Sequence, residues 1–283
     1  MESVNQPFTL SNSQYWDMRS STTNRQYRIF AAKPAEAPPP EGYPVIYLLD
    51  GNALFATTAD AVRAQSRMQK KTGVSPAVVI GIGYPSDALF DPARYYDYTM
   101  PTPPDKLIKG PEGMPWPELG GVDAFTAFIR QDLKPEIERK FPIDCSRQSV
   151  AGHSLGGLFV LQTLFNHPEM FQNYVAGSPS IHWNKEFMTE AEQRFLSRIT
   201  QGSEQADGMK LNLMITAGEL EKHHPSRMVE NASGLAERLS ILAERGGRVE
   251  YCEFAGESHI SVLPAFISRA VRFALVSAPE DKS

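Results

Sequence analysis

One string in this sequence has the residue types and spacing of covalent ester chemistry: Gly152-His153-Ser154-Leu155-Gly156-Gly157. A serine hydroxyl attacks a carbonyl near neutral pH only when a base takes its proton and amide donors hold the oxyanion that forms. G-x-S-x-G meets part of that demand when it joins a strand to a helix. The strained turn lifts the hydroxyl out of the backbone, and the flanking glycines allow close main-chain approach. By composition the string arises by chance roughly 0.1 times in such a chain, so its neighbours decide. Gln148 to Ala151 reads as a short strand and Leu155 to Phe165 as a helix apolar nearly all round, which is the required context.

The nucleophile needs a base. Of the six histidines, His167 ends the nucleophile's own helix, His182 sits in Ser178-Pro179-Ser180-Ile181-His182-Trp183, and His223 and His224 are adjacent in a loop. His153 lies inside the motif with its ring expected to point away from the serine oxygen, as a packing or hydrogen-bonding residue. His259 follows the last apolar strand and precedes the last helix, where a serine-acid-histidine order puts the base. The acid should follow the penultimate strand, in Ala217-Gly218-Glu219-Leu220-Glu221, where it fixes the histidine tautomer and stabilises the imidazolium. Glu221, three residues past the glycine, is preferred, with Glu219 as the alternative. Two backbone amides are expected to form the oxyanion hole. They are Leu155, at the positive end of its helix, and Asn52, in the turn Asp50-Gly51-Asn52. Activity should fall below roughly pH 6.5 as His259 gains a proton.

These residues need a frame. Strand-like runs at Gln26 to Ala31, Val45 to Leu49, Val78 to Gly83, Tyr174 to Ala176, Leu211 to Thr216 and Val249 to Phe254 alternate with helical segments. The helical segments are at about Asn52 to Lys71, Val122 to Phe141, Lys185 to Thr200, Ser226 to Arg245 and Ser261 to Val276, with Pro135 expected to kink or interrupt the second. The alternation predicts an α/β fold: one open, mainly parallel central sheet flanked by helices, with an antiparallel strand or two at the N-terminal edge, in a single domain over 1–283. Residues 87–121 carry seven prolines among aromatic residues and read as an irregular lid-like insertion.

Composition narrows the function classes. With 283 residues and 41% apolar content the chain has ample material for a core, and 28 basic against 33 acidic residues give a net charge of -5. That sign is wrong for gripping nucleic acid or anionic lipid. No apolar run is long enough to span a membrane and Met1 to Leu10 is polar, so the expectation is a soluble, cytoplasmic protein. Cys145 and Cys252 lack zinc-ligand spacing and read as partly buried, reduced thiols. No metal or cofactor is expected.

Tyr47-Leu48-Leu49-Asp50-Gly51-Asn52, Arg94-x-x-Asp97-Tyr98-Thr99, the segment Gly152 to Gly157, Ser178-Pro179-Ser180 and Gly256-x-x-His259 occur in this order. Together they resemble the putative-esterase branch of the α/β-hydrolases. The likeness extends over about Arg25 to Val276. It is nearest to trilactone siderophore esterases of the salmochelin and enterobactin hydrolase type, through Gly83-Tyr84 and Tyr96-Asp97-Tyr98-Thr99. It implies an α/β-hydrolase fold with Ser154 as nucleophile, His259 as base and Leu155 with Asn52 as the oxyanion hole. It also implies a small-molecule ester substrate, a ferric siderophore among the candidates. Some siderophore esterases use a serine-histidine dyad, whereas this chain also offers Glu219 and Glu221. An S-formylglutathione-type thioesterase, an acyltransferase and a non-catalytic hydrolase-fold binding protein are the alternatives.

Four residues are candidates for substrate contact. Arg94 either meets an anionic substrate or pairs with Asp97 to pin the loop. Trp183, with Tyr95, Tyr96, Tyr98 and Trp116, either stacks on catechol or aromatic acyl groups or packs the lid. Tyr84 and His153 complete the set. A ferric catecholate is strongly anionic, so an acidic chain suits it only where positive charge is locally concentrated.

Overall fold

Runs of apolar residues that hide both faces of a strand end up at the centre of a sheet. In the computed structural model, which describes residues 9–103, 115–201 and 210–276, Tyr43–Leu48 (β3) and Val78–Gly83 (β4) are buried at every position. The other strands are Ser13–Arg19 (β1), Gln26–Ala32 (β2), Ile143–His153 (β5), Asn173–Gly177 (β6), Asn212–Gly218 (β7) and Arg248–Phe254 (β8). Among the described residues they form one eight-stranded sheet in the order β1-β2-β4-β3-β5-β6-β7-β8. β3 to β8 run parallel, while β1 and β2 pair antiparallel at one edge. This is the doubly wound α/β arrangement expected from the alternation of elements.

Period-two alternation divides the core between the two faces. Ile46, Leu48, Val79, Ala151, Val175 and Met214 face Leu54, Phe55, Phe266 and Val271. Val45, Tyr47, Ile80, Val150, Tyr174 and Leu213 face Phe159, Leu161 and Phe128. The helix Leu155–Asn166 lies under that second layer with Leu155 through Phe165 all buried, which accounts for its lack of a polar stripe. Strand order reverses between β3 and β5: β3 continues outward to β4, and β5 continues the other way to β6. A crevice opens beyond the carboxyl ends of strands at such a switch point, and Asp50 and Ser154 stand there.

Several elements depart from their predicted extents. β5 begins at Ile143, which pairs with Tyr43 ahead of a register shift before Gln148 meets Val45, and Cys145 in that first half is exposed rather than partly buried. Among the described residues both cysteines are free. The helix predicted from Asn52 to Lys71 is Gly51–Ser66 followed by a separate turn, Gln69–Thr72. The one predicted from Ser226 to Arg245 is split into Met228–Arg238 and Ile241–Glu244. The segment 122–141 stays continuous through a π-turn at Ile129–Leu133, where the Lys134 N–H reaches the Ile129 carbonyl. The widened turn makes room for Pro135, which has no amide hydrogen and crowds the preceding turn.

Of the proposed lid over 87–121, residues 104–114 lie outside the described residues. The rest contains one helical turn, Arg94–Tyr98. Asp97 in that turn is fully buried and accepts hydrogen bonds from the hydroxyls of Tyr27 (3.0 Å) and Tyr84 (2.8 Å). Burial pushes its carboxyl up to about 6 against the pull of those two donors. No helix among the described residues is long and apolar enough to cross a membrane.

Candidate active site

Ser154 sits between β5 and its helix at φ 60°, ψ -116°, a region that non-glycine residues enter only when the surroundings force it. The force is identifiable. A Cβ on Gly152 would lie 2.6 Å from the main chain of Gly156, and one on Gly157 would lie 2.8 Å from the Gly177 carbonyl oxygen. Gly156 itself has room for a side chain, with its nearest neighbour 3.4 Å away; its main chain is the surface that Gly152 must approach. The Ser154 N–H donates to Gly177 at 2.9 Å, tying the turn to β6.

Two loops at the carboxyl ends of β7 and β8 bring up the other groups. His259 Nε2 is 3.0 Å from Ser154 Oγ, and His259 Nδ1 is 2.7 Å from Glu221 Oε1. A carboxylate only accepts, so Nδ1 carries the ring proton and Nε2 is left to accept from the serine hydroxyl. Glu221 is buried at the centre of the turn Glu219–His223. Glu219 does not reach the imidazole. Its carboxylate accepts the Gly256 N–H at 2.8 Å, and the Leu220 N–H donates to Glu257 at 3.0 Å, so the acid turn is fastened to the histidine loop.

The two proposed amide donors both begin helices, where the first N–H groups lack intrahelical partners. Leu155 opens the helix after Ser154. Asn52 is the second residue of Gly51–Ser66, and its side chain is clamped to the end of β4: Oδ1 accepts from Tyr84 N–H at 2.8 Å and Nδ2 donates to the Tyr84 and Ser86 carbonyls. The amides of Ala53 and Leu54 turn back onto the Asp50 carbonyl.

The four candidate substrate contacts are placed away from the cleft. The Arg94 guanidinium is buried and binds Asp50, not Asp97, through two parallel bonds of 2.8 and 2.9 Å. That pair fixes the left-handed Asp50 (φ 53°) ahead of Asn52. Tyr84 is buried and spends its hydroxyl on Asp97. Trp183 is buried edge-on against Trp116 at 4.7 Å, with Tyr95 beyond, so it packs against aromatic residues of the segment 87–121. His153 is buried beneath the His259 ring, centroids 4.6 Å apart. Burial first, then the charges of His259 and Arg94, pushes His153 down to about 3 and keeps it neutral. Donor atoms of His153, Glu221 and His259 lie within 4.8 Å of one another, and within that group His259 Nδ1 and Glu221 Oε1 bind each other at 2.7 Å.

Sequence reasoning set aside residues that the structure places around Ser154. An open cleft of about 590 Å³ is walled by Ser180, His182, Leu220, His223, His224 and Met228 beside Ser154 and His259. Ser180 Oγ is 3.3 Å from Ser154 Oγ and its N–H donates to the Ser154 carbonyl at 3.1 Å. The available signal was position: these residues follow the carboxyl ends of β6 and β7, where open α/β sheets bind ligands.

The strand order, the strained serine turn and the Ser154-His259-Glu221 chain define an α/β-hydrolase of the serine-esterase class. The family model described as "Putative esterase" matches residues 20–268, and the chain belongs to that family. It is 54% identical to the ferri-bacillibactin esterase BesA of Bacillus subtilis (strain 168) over 268 residues, 95% of this chain and 91% of that protein. It is 35% identical over 250 residues to a siderophore enterobactin esterase of Emericella nidulans, covering 81% of this chain and 80% of the other. The crystal structure of a BES protein from Bacillus cereus superposes with a TM-score of 0.88 at 39% identity, over 97% of this chain and 100% of that one. The chain is accordingly a carboxylic ester hydrolase.

Proposed function

We propose that this enzyme hydrolyses the ester bonds of a trilactone siderophore, in its ferric form, through an acyl-enzyme on Ser154. Ser154 Oγ attacks the ester carbonyl as its proton passes to His259 Nε2, and Glu221 steadies the imidazolium through Nδ1. The Leu155 and Asn52 amides hold the oxyanion. As the tetrahedral centre collapses, the carbon-oxygen bond to the leaving group breaks and His259 returns the proton to that alcohol. Water then attacks the acyl-enzyme, with His259 as base, to release the acid and restore Ser154. Opening the lactone ring loosens a chelator around its iron, which is cargo and not a cofactor.

The observation that carries this reading is the unbroken relay of 3.0 and 2.7 Å from Ser154 to Glu221, open to a cleft. The names of the relatives, a ferri-bacillibactin esterase and an enterobactin esterase, support the substrate class. Two unpaired cysteines, one exposed, suit a reducing cytoplasmic setting. The test is turnover of a ferric trilactone, followed by chromatography of the linear products. Wild type opens the ring, and Ser154→Ala, folded by circular dichroism, loses at least about 10⁴-fold in rate. Hydrolysis of simple aryl esters with an untouched trilactone would reject the substrate assignment.

A further inference from the structure

The proposed substrate poses an electrostatic problem. A tris-catecholate complex of Fe(III) carries three negative charges, the chain carries -5, and the described lining of the cleft offers Glu221 but no lysine or arginine. What it offers instead is imidazole. His182, from the segment after β6, and His224, from the segment after β7, face each other with ring centroids 6.4 Å apart, beside Ser180 and Ser154. His182 Nδ1 is buried with no hydrogen-bond partner. His224 Nδ1 accepts the Ser226 N–H at 3.2 Å, so in the neutral ring the donor is Nε2. Two walls of the cleft thus meet in a pair of rings, one with an unmet hydrogen-bonding site whose isolation costs free energy until a ligand satisfies it.

We infer that His182 and His224 form the subsite for the anionic, oxygen-rich part of the substrate, and that its binding is coupled to proton uptake at the His182 ring. The identity of the anion as a metal catecholate rests on the reading above; the anionic subsite does not. The titratable groups facing His182 are His224 and His259. Of the charged groups on the two helices packed beside it, Lys185 and Glu192 on one and Glu230 and Arg238 on the other line a separate groove, and Glu221, the carboxylate in the cleft lining, is held by His259. Burial, and then those two histidines, push His182 below the usual imidazole range. His182 is therefore held neutral in the free cleft, and an arriving anion favours its protonated form. Because the bound form holds a proton that the free form lacks, affinity rises as pH falls, by up to about tenfold per unit for one proton.

The test uses chromium(III) tris-catecholate, a substitution-inert trianion, as a competitive inhibitor of an uncharged aryl ester, with 1,2-dimethoxybenzene as the neutral control. In wild type, Ki for the trianion falls as pH is lowered from 8.5 to 6.5, and Ki for the control does not. In His182→Gln the trianion's Ki rises about tenfold at pH 6.5 and its pH slope flattens. His224→Gln provides the same reading should the first variant fail to fold. A wild-type Ki independent of pH, or the same slope and affinity in both variants, overturns the proposal. Because the probe is not an ester, this outcome is separate from that of the trilactone assay: an enzyme that binds the trianion but leaves a ferric trilactone intact keeps the subsite and loses the substrate assignment.

Discussion

Which carboxylate completes the relay is decided by where each glutamate points. Glu221 Oε1 reaches the imidazole and Glu219 holds the Gly256 amide. Glu221→Gln therefore lowers kcat about 10³- to 10⁴-fold, since an amide no longer steadies the imidazolium, while Glu219→Gln, which keeps an acceptor for Gly256, costs less than about tenfold. Steady-state kinetics on one aryl ester decides, and equal losses would contradict the assignment. That Ser154, His259 and Glu221 would lie together was legible because hydrolase chemistry imposes an order along the chain. Arg94 was not. Its nearest acid in sequence is Asp97, but its partner in space is Asp50, 44 positions away, and sequence proximity says nothing about loops that meet across a crevice. Arg94→Ala removes one half of a buried ion pair and should cost about 3–5 kcal/mol, read as a lower urea midpoint. Unchanged stability with a raised KM for an anionic ester would return Arg94 to the substrate.

Elements set the strain that the residues exploit. Gly152→Ala forces a methyl carbon to 2.6 Å from the Gly156 main chain, and the turn must open to admit it. The expected result is loss of activity together with a lowered melting temperature, whereas Gly156→Ala, with its open side, retains more of both. The signature alone gave the two glycines equal weight, because a string cannot say which one approaches and which one is approached. Helix lengths were overestimated for a similar reason. Apolar spacing continues through Ser226 to Arg245, but the chain turns at Leu239 and Ser240 and resumes in a second short helix, a change that periodicity does not register.

At the scale of the whole molecule, stability and pH are joined through His153 beneath the relay. Its native ring stays neutral down to about 3, while in the unfolded chain it protonates through about 6.5. Below that point the unfolded state binds the extra proton, so this residue's contribution to stability falls as pH drops from about 6.5 toward 3, by up to about 1.4 kcal/mol per unit. Asp97, raised to about 6, works the other way: between about 3.9 and 6 the native state holds the extra proton, and acid favours the fold there. Since both chains retain Asp97, the difference between wild type and His153→Gln isolates the histidine. Urea denaturation at pH 7, 5.5 and 4 should show the wild type losing stability relative to the variant at each step, and a constant difference would contradict the burial argument. The mainly parallel sheet with its antiparallel N-terminal edge was readable from the alternation of elements. The cleft was not, because its walls come from loops whose approach depends on folded distances.

Labelling with an aryl fluorophosphonate, followed by peptide mapping, tests the central claim most directly, because Ser180 Oγ lies only 3.3 Å from Ser154 Oγ, the proposed nucleophile. The account predicts one adduct per chain, on Ser154, formed far more slowly in His259→Gln. An adduct on Ser180, or undiminished ester hydrolysis by a chain fully blocked at Ser154, would contradict it.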